Sequence, residues 1–150
     1  MDAKDLDEIL SGHPGYLGVL PINHVRKPRK LSENVYFCIC NSDPCDKSGQ
    51  HWLALFFFKK AGKWYGEYFD SYGASPTDSL EQLFRKWCFR ASYNSTSLQE
   101  LDTSVCGCYC LYFLHHRLRG ESAQNIVQRL LNFGSERDII VYNFCLKLQQ

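Results

Sequence analysis

Hydrophobic positions change period several times along the chain, and each change predicts an element. Ala3, Leu6, Ile9 and Leu10 share one face of a helix over Asp2–Leu10, with Gly12 placed to close it. GYLGVL and VYFCIC (Val35–Cys40) read as short buried strands, and NSDPCDKSGQ as the polar loop after the second. HWLALFFF (His51–Phe58) and KWYGEYFD (Lys63–Asp70) are strand segments flanking KKAG, a hairpin turn. In TDSLEQLFRKWCFR, Leu80, Leu83, Phe84 and Trp87 recur at helical spacing behind a Thr77 or Asp78 cap. A further short strand is expected at Asn94–Gln99. Ser104–Leu118 is apolar on every face until HHRLRG and reads as a buried helix that Gly120 ends. SAQNIVQRLLNF and SERDIIVYNFCLKL predict two more helices, each opening on a serine cap. The expected class is α+β.

The hairpin carries the first chemical signal. A turn centred on Lys60 and Ala61 sets His51 directly opposite Asp70 across the two strands. A carboxylate there accepts the ring N–H, fixes the tautomer and stabilises the imidazolium, as nucleophilic catalysis requires. The same spacing also fits an exposed cross-strand ion pair at a sheet edge. A slip of one residue turns the two side chains to opposite faces.

Composition narrows the setting. The 150 residues suit one domain, 1–150, with a single core. Hydrophobic residues at 45% and charged residues at 22% are ordinary for a globular protein, and 15% aromatic residues imply a filled interior. A net charge of +1 provides no global field toward nucleic acid or membrane, although HVRKPRK (His24–Lys30) is a local basic cluster that also fits a solvated loop. The acidic start MDAKDLDEIL is unlike a signal peptide, and no run reaches the roughly 18 apolar residues of a membrane helix, so an intracellular setting without membrane contact is expected. Eight cysteines then read as thiols in a reducing compartment.

TSVCGCYCLYFLHH (Thr103–His116) concentrates three of them on alternate residues. On a helix Cys106 and Cys108 point about 200° apart, so the three do not converge on a metal, and the chain has no CxxC spacing. No metal site is expected. Cys108 and Cys110 read as small core hydrophobes. Cys106 differs, because a cap at Thr103 or Ser104 places its sulfur in the first helical turn, where unpaired N–H groups favour a thiolate. Gly107 is costly inside a helix and needs a reason, either close approach of a substrate backbone or admission of a neighbouring helix.

Four segments in order, GQHWLALFF, EYFDSYG, a glutamine at Gln99 and SVCGCYCLYFLHH, resemble the adenovirus-type cysteine proteases, relatives of the SUMO-deconjugating proteases, which include proteases of virus-like DNA transposons. The resemblance implies a mixed, mainly antiparallel central sheet flanked by helices, with the nucleophile at the N-terminus of a buried central helix. It implies His51 as general base, Asp70 as its orienter, Cys106 as nucleophile, and Gln99 as an oxyanion donor beside the Cys106 backbone N–H. Trp52 is expected in the core or as a wall of the site. Substrates with glycine near the cleaved bond are implied, running over Gly107 and the turn Ser71–Gly73.

The implied activity is a cysteine endopeptidase acting on viral or virus-like polyprotein or capsid precursors, in host nucleus or cytoplasm or packaged in the virion. The alternative with the same chemistry is an isopeptidase removing ubiquitin-like modifiers after Gly-Gly. A third reading is a non-catalytic cysteine-rich zinc module. No cofactor is required and a monomer is expected. Adenoviral members are activated by DNA and by a viral peptide that forms a disulfide with a cysteine. Cys88 is the nearest counterpart, but helical spacing buries it beside Phe84 and Trp87, and the basic run (Arg26, Lys27, Arg29, Lys30) is the only support for weak DNA contact. The adenoviral enzymes are longer and carry glutamate where Asp70 stands.

Overall fold

The computed structural model of the protein describes residues 1–42, 51–100 and 105–150. Five strands, β1 (Tyr16–Pro21), β2 (Val35–Asn41), β3 (Trp52–Lys60), β4 (Lys63–Phe69) and β5 (Arg90–Tyr93), form one sheet in sequential order. Its inner pairings, β2 with β3 and β3 with β4, are antiparallel. Both outer pairings are parallel. The class is α+β with a mixed sheet.

Parallel neighbours need crossover connections, and both crossovers pack on the same side of the sheet. Ile22 and Val25 follow β1, and helix α2 (Asp78–Trp87) supplies Leu80, Phe84 and Trp87. These meet Tyr36, Cys38, Leu53, Leu55, Phe57 and Tyr68. The alternate residues Phe37, Ile39, Ala54, Phe56 and Phe69 face helices α1 (Ala3–Leu10), α3 (Cys106–Leu118), α4 (Ala123–Asn132) and α5 (Arg137–Leu148). Period-two alternation thus feeds two cores, one on each face.

Helix α3 is buried from Cys106 through Leu114, which explains its lack of a polar face. Two contacts set its position along β4. Phe113 stacks on Phe69 with ring centroids 4.5 Å apart. One turn later Arg117 grips Glu67 through two hydrogen bonds of 2.7 and 3.2 Å. Four helical residues rise about 6 Å and two strand residues about 6.6 Å, so both contacts form only if helix and strand run in opposite directions. The N-terminus of α3 therefore projects past the C-terminal end of β4.

Several local expectations need correction. Lys60 pairs with Lys63 around Ala61 and Gly62, whose φ values of 51° and 79° make a two-residue turn of the kind that matches strand twist. The turn thus lies one residue later than one centred on Lys60 and Ala61, which shifts the pairing register by two, and His51 is not the direct partner of Asp70. The last strand is Arg90–Tyr93, beside β4, and no strand forms over Asn94–Gln99, whose contacts are to side chains and loops. Thr77 stands at the start of α2 but makes no side-chain cap, and α5 begins after a short 3-10 turn at Gly134–Glu136 with no cap from Ser135. Ser122 caps α4 by accepting from the Asn125 N–H at 3.1 Å. The cap assigned to Thr103 or Ser104 lies outside the described residues; Val105 occupies the position before α3 and offers no side-chain bond.

Candidate active site

Asp70 follows the last residue of β4 and is buried, a position that demands partners for a carboxylate. The turn after it supplies them. The Tyr72 N–H donates to Oδ1 at 2.9 Å and the Ala74 N–H to Oδ2 at 3.2 Å. Asn94, directly after β5, clamps the backbone of the same residue: its Oδ1 accepts from the Asp70 N–H at 3.0 Å and its Nδ2 donates to the Asp70 carbonyl at 2.6 Å. The turn closes on Gly73, whose φ of 74° suits glycine. A Cβ there would lie 2.7 Å from the Thr96 carbonyl carbon, so the glycine admits the 96–97 backbone.

His51 sits one residue before β3, and its carbonyl still accepts from the Ser42 N–H at 3.0 Å. Its Nε2 contacts Asp70 Oδ1 at 2.6 Å. The expected pair thus forms, but across the open ends of two strands rather than within the ladder. A register offset of two keeps both side chains on the same face, where an offset of one separates them. The ring of Tyr72 covers the imidazole with centroids 4.8 Å apart.

Cys106 opens α3 and is buried. The Trp52 N–H points at its sulfur from 3.5 Å. Burial pushes the thiol up, but hydrogen bonding from His51, the Trp52 N–H and the Gly107 N–H, together with the imidazolium charge, brings it below the ordinary value. His51 shows the complement: burial opposes its charge, while Asp70 and Cys106 outweigh burial and raise it to about 9. With Nε2 taken by Asp70, Nδ1 is the nitrogen left for the sulfur. The contact therefore favours the thiolate and the imidazolium over the neutral pair, relative to the isolated groups. Cys40 shows the contrast, burial alone pushing its thiol up to about 12.

Gln99 is buried, and its Oε1 accepts from the Ser71 hydroxyl at 2.6 Å. The Ser71 carbonyl also accepts from the N–H groups of Leu98 and Gln99 at 2.7 and 3.0 Å, fastening this segment to the residue after Asp70. Gly107 is not open to an approaching chain. A Cβ there would meet Trp52 Cδ1 at 3.3 Å and Leu6 of α1 at 3.5 Å, so the glycine admits a neighbouring ring and helix. Trp52 is half-buried and packs against the core on the α3 side while its N–H serves the sulfur. Asn94, Ser71 and Tyr72 are the supporting residues that sequence reasoning did not single out. Ser71 and Tyr72 lie in the noted SYG turn, whereas nothing in the chain marks Asn94.

The remaining candidates lie elsewhere. Cys108 and Cys110 are buried in the α3 core, and the seven described cysteines are free thiols. Cys88 is half-buried rather than enclosed, its thiol pushed up to about 11 by burial against the opposing charge of Lys27. Arg26, Lys27, Arg29 and Lys30 are exposed. Among the described residues no group of three or more histidine, cysteine or carboxylate side chains is placed to hold a metal ion, and no helix is long and apolar enough to cross a membrane.

No family model matches the chain. Individual relatives do. A protein of Acanthamoeba polyphaga mimivirus described as a thiol protease is 31% identical over 129 residues, covering 78% of this chain and 42% of the relative. The protein of African swine fever virus named SUMO-1 cysteine protease is 26% identical over 103 residues, 63% of this chain and 38% of its own. The protease of Bovine adenovirus 4 is 27% identical over 150 residues, 88% of this chain and 73% of its own. The chain thus spans less than half the length of the first two. A crystal structure of the African swine fever virus protease superposes with a TM-score of 0.63 at 22% identity, over 96% of this chain and 65% of that one, which establishes a shared fold. The chain is a homologue of the viral thiol and cysteine proteases.

Proposed function

We propose that the chain is a cysteine endopeptidase in which Cys106 is the nucleophile, His51 the general acid and base, Asp70 its orienter and Gln99 an oxyanion donor. The observation that carries this reading is the 2.6 Å contact of His51 with buried Asp70, beside a Cys106 thiol held below its ordinary value at the start of a buried helix. The thiolate attacks the scissile carbonyl carbon, forming a C–S bond and an oxyanion. The Cys106 N–H and the Gln99 amide stabilise that oxyanion. The imidazolium gives its proton to the leaving amine as the C–N bond breaks. Neutral His51 then takes a proton from water, hydroxide adds to the thioester, and loss of the acid product restores thiolate and imidazolium.

The resemblance implies a substrate residue without a side chain beside the scissile bond, and the Tyr72 ring over the imidazole is compatible with a narrow approach. Precursors of viral or virus-like proteins are the substrates that the family resemblance implies. Exposed Arg26, Lys27, Arg29 and Lys30 offer the surface for any DNA contact. The name of the African swine fever virus relative favours a second reading, an isopeptidase that cleaves ubiquitin-like modifiers after Gly-Gly.

The test compares wild type with Cys106→Ser on a glycine-containing peptide library and on SUMO and ubiquitin conjugates. Wild type should cleave peptides, and the serine variant should lose about 10³-fold or more. Cleavage of conjugates alone selects the isopeptidase. Equal activity of the two proteins removes the nucleophile assigned here.

A further inference from the structure

We infer that Asn94 is a positioning residue whose side-chain amide takes the place of a strand residue beside Asp70 and holds the backbone from which the Asp70 carboxylate reaches His51. This deepens the protease reading and rests on it. In a hairpin closed by a two-residue turn the pair flanking the turn exchanges hydrogen bonds, and bonded and non-bonded pairs alternate outward from it. Lys60–Lys63 is that pair, so Ala54–Phe69 is a bonded pair, and the N–H and carbonyl of Asp70, one residue on, point away from β3 toward the β5 side. The β4–β5 ladder has already ended there, at Tyr68 and Tyr93. The next residue of the edge chain, Asn94, meets Asp70 with its side chain instead of its backbone.

An amide side chain carries the acceptor and the donor of a peptide group. Asn94 Oδ1 accepts from the Asp70 N–H at 3.0 Å, and Nδ2 donates to the Asp70 carbonyl at 2.6 Å and to the Thr96 carbonyl at 3.3 Å. All three partners are backbone groups of fixed polarity, so one orientation of the amide satisfies them; the flipped amide sets NH₂ against N–H and oxygen against two carbonyls. The Asp70 carbonyl has a second donor in the Gly73 N–H at 2.8 Å, and that bond, like those from Tyr72 and Ala74 to the carboxylate, lies within the turn itself. The turn is thus closed on itself, with the Ser71 carbonyl tying it to residues 98 and 99 and Asn94 tying its first residue to the end of β5. Without the amide the carboxylate keeps its charge and its donors, while the backbone that carries it loses its hold on the edge strand. A contact of 2.6 Å to His51 tolerates little displacement.

The test uses Asn94→Leu, which keeps the shape of the side chain and removes its donor and acceptor, and Asn94→Ala, which leaves room for water at both backbone groups. Each is made alone and with Asp70→Asn, and read on a cleaved peptide and on the pH profile of iodoacetamide alkylation at Cys106. Asn94→Leu should lower kcat about 10- to 100-fold with KM nearly unchanged. It should also slow alkylation near pH 8 about 3- to 10-fold and displace the profile toward alkaline pH, because an imidazolium farther from its carboxylate supports less thiolate. Asn94→Ala should show the same changes in milder form. In the Asp70→Asn background neither variant should displace the profile further, since the effect runs through the carboxylate. A folded Asn94→Leu protein whose profile superposes on wild type, a displacement that persists in full beside Asp70→Asn, or loss of the fold in both variants would each overturn the positioning role. A wild-type protein that cleaves no peptide defeats the protease reading, and the part of Asn94 in catalysis with it; the alkylation profile separates that failure from a failure of the positioning itself.

Discussion

Replacing Asp70 by asparagine separates the charge of the proposed orienter from its shape. His51 stands at about 9 against an ordinary 6.5, a difference of about 3 kcal/mol shared between the Asp70 carboxylate and the Cys106 thiolate after burial has opposed both. Asp70 is buried and its oxygen lies 2.6 Å from Nε2, so solvent screens little of its share. Without the negative charge the imidazolium should fall back by about 1–3 units, and the thiolate it supports should be lost over the same interval. The assay is the pH dependence of iodoacetamide alkylation at Cys106, whose rate follows the thiolate fraction. Near pH 8 the variant should react about tenfold more slowly, with its rise displaced toward alkaline pH. Asparagine also places an NH₂ group against either the Tyr72 or the Ala74 N–H, a donor facing a donor, at a cost of about 1–3 kcal/mol. Thermal unfolding should register that as a fall in Tm of roughly 2–10 °C. An alkylation profile that superposes on wild type refutes the claim that Asp70 sets the charge state of the pair.

Other perturbations probe the framework. Gly73→Ala combines a φ of 74° with a Cβ 2.7 Å from backbone, so it should destabilise by about 2–4 kcal/mol in urea unfolding and reduce kcat by displacing the 96–99 segment. Glu67→Ala removes the carboxylate from a largely enclosed Arg117, which keeps the Glu121 carbonyl and the faces of Phe56 and Phe58, and should cost about 1–3 kcal/mol by the same measurement; retained stability would show that the pair does not fix α3 on β4. In a Cys106→Ala protein the His51–Asp70 pair should still raise the folded-state pKa of the histidine. That contribution is complete below about pH 6.5 and is lost as pH rises through the folded-state value, which lies below the wild-type value of about 9 because Cys106 no longer adds to it, so urea unfolding above pH 6.5 should show declining stability that Asp70→Asn abolishes.

Much of the framework was legible in the chain because burial leaves a periodic mark. The short apolar runs VYFCIC and HWLALFFF announced strands, and the unbroken apolar run from Cys106 announced a helix with no wet side. The nearness of His51 to Asp70 also followed from the hairpin, although the turn was placed one residue early. Parity rescued the inference: an offset of two residues changes the partner and preserves the face. What was not legible lies in irregular backbone. Asn94 holds Asp70 through side-chain bonds that have no period, and Gly107 answers to Trp52 and Leu6, which are distant in sequence. The start of α3 shows the same limit, since the cap residues suggested by composition lie outside the described backbone and Val105 stands where a polar cap was sought.

The placement of His51 just before β3 and of Asp70 just after β4 puts the proposed catalytic pair at the open mouth of the hairpin. Its closed tip, Ala61–Gly62, stands about 30 Å away along the nine residues of β3. That tip is exposed, and a Cβ at Gly62 meets nothing within 4 Å. It is therefore a natural place to splice in an affinity tag, a fluorophore or a tethering domain, with the far end of the ribbon insulated from the change.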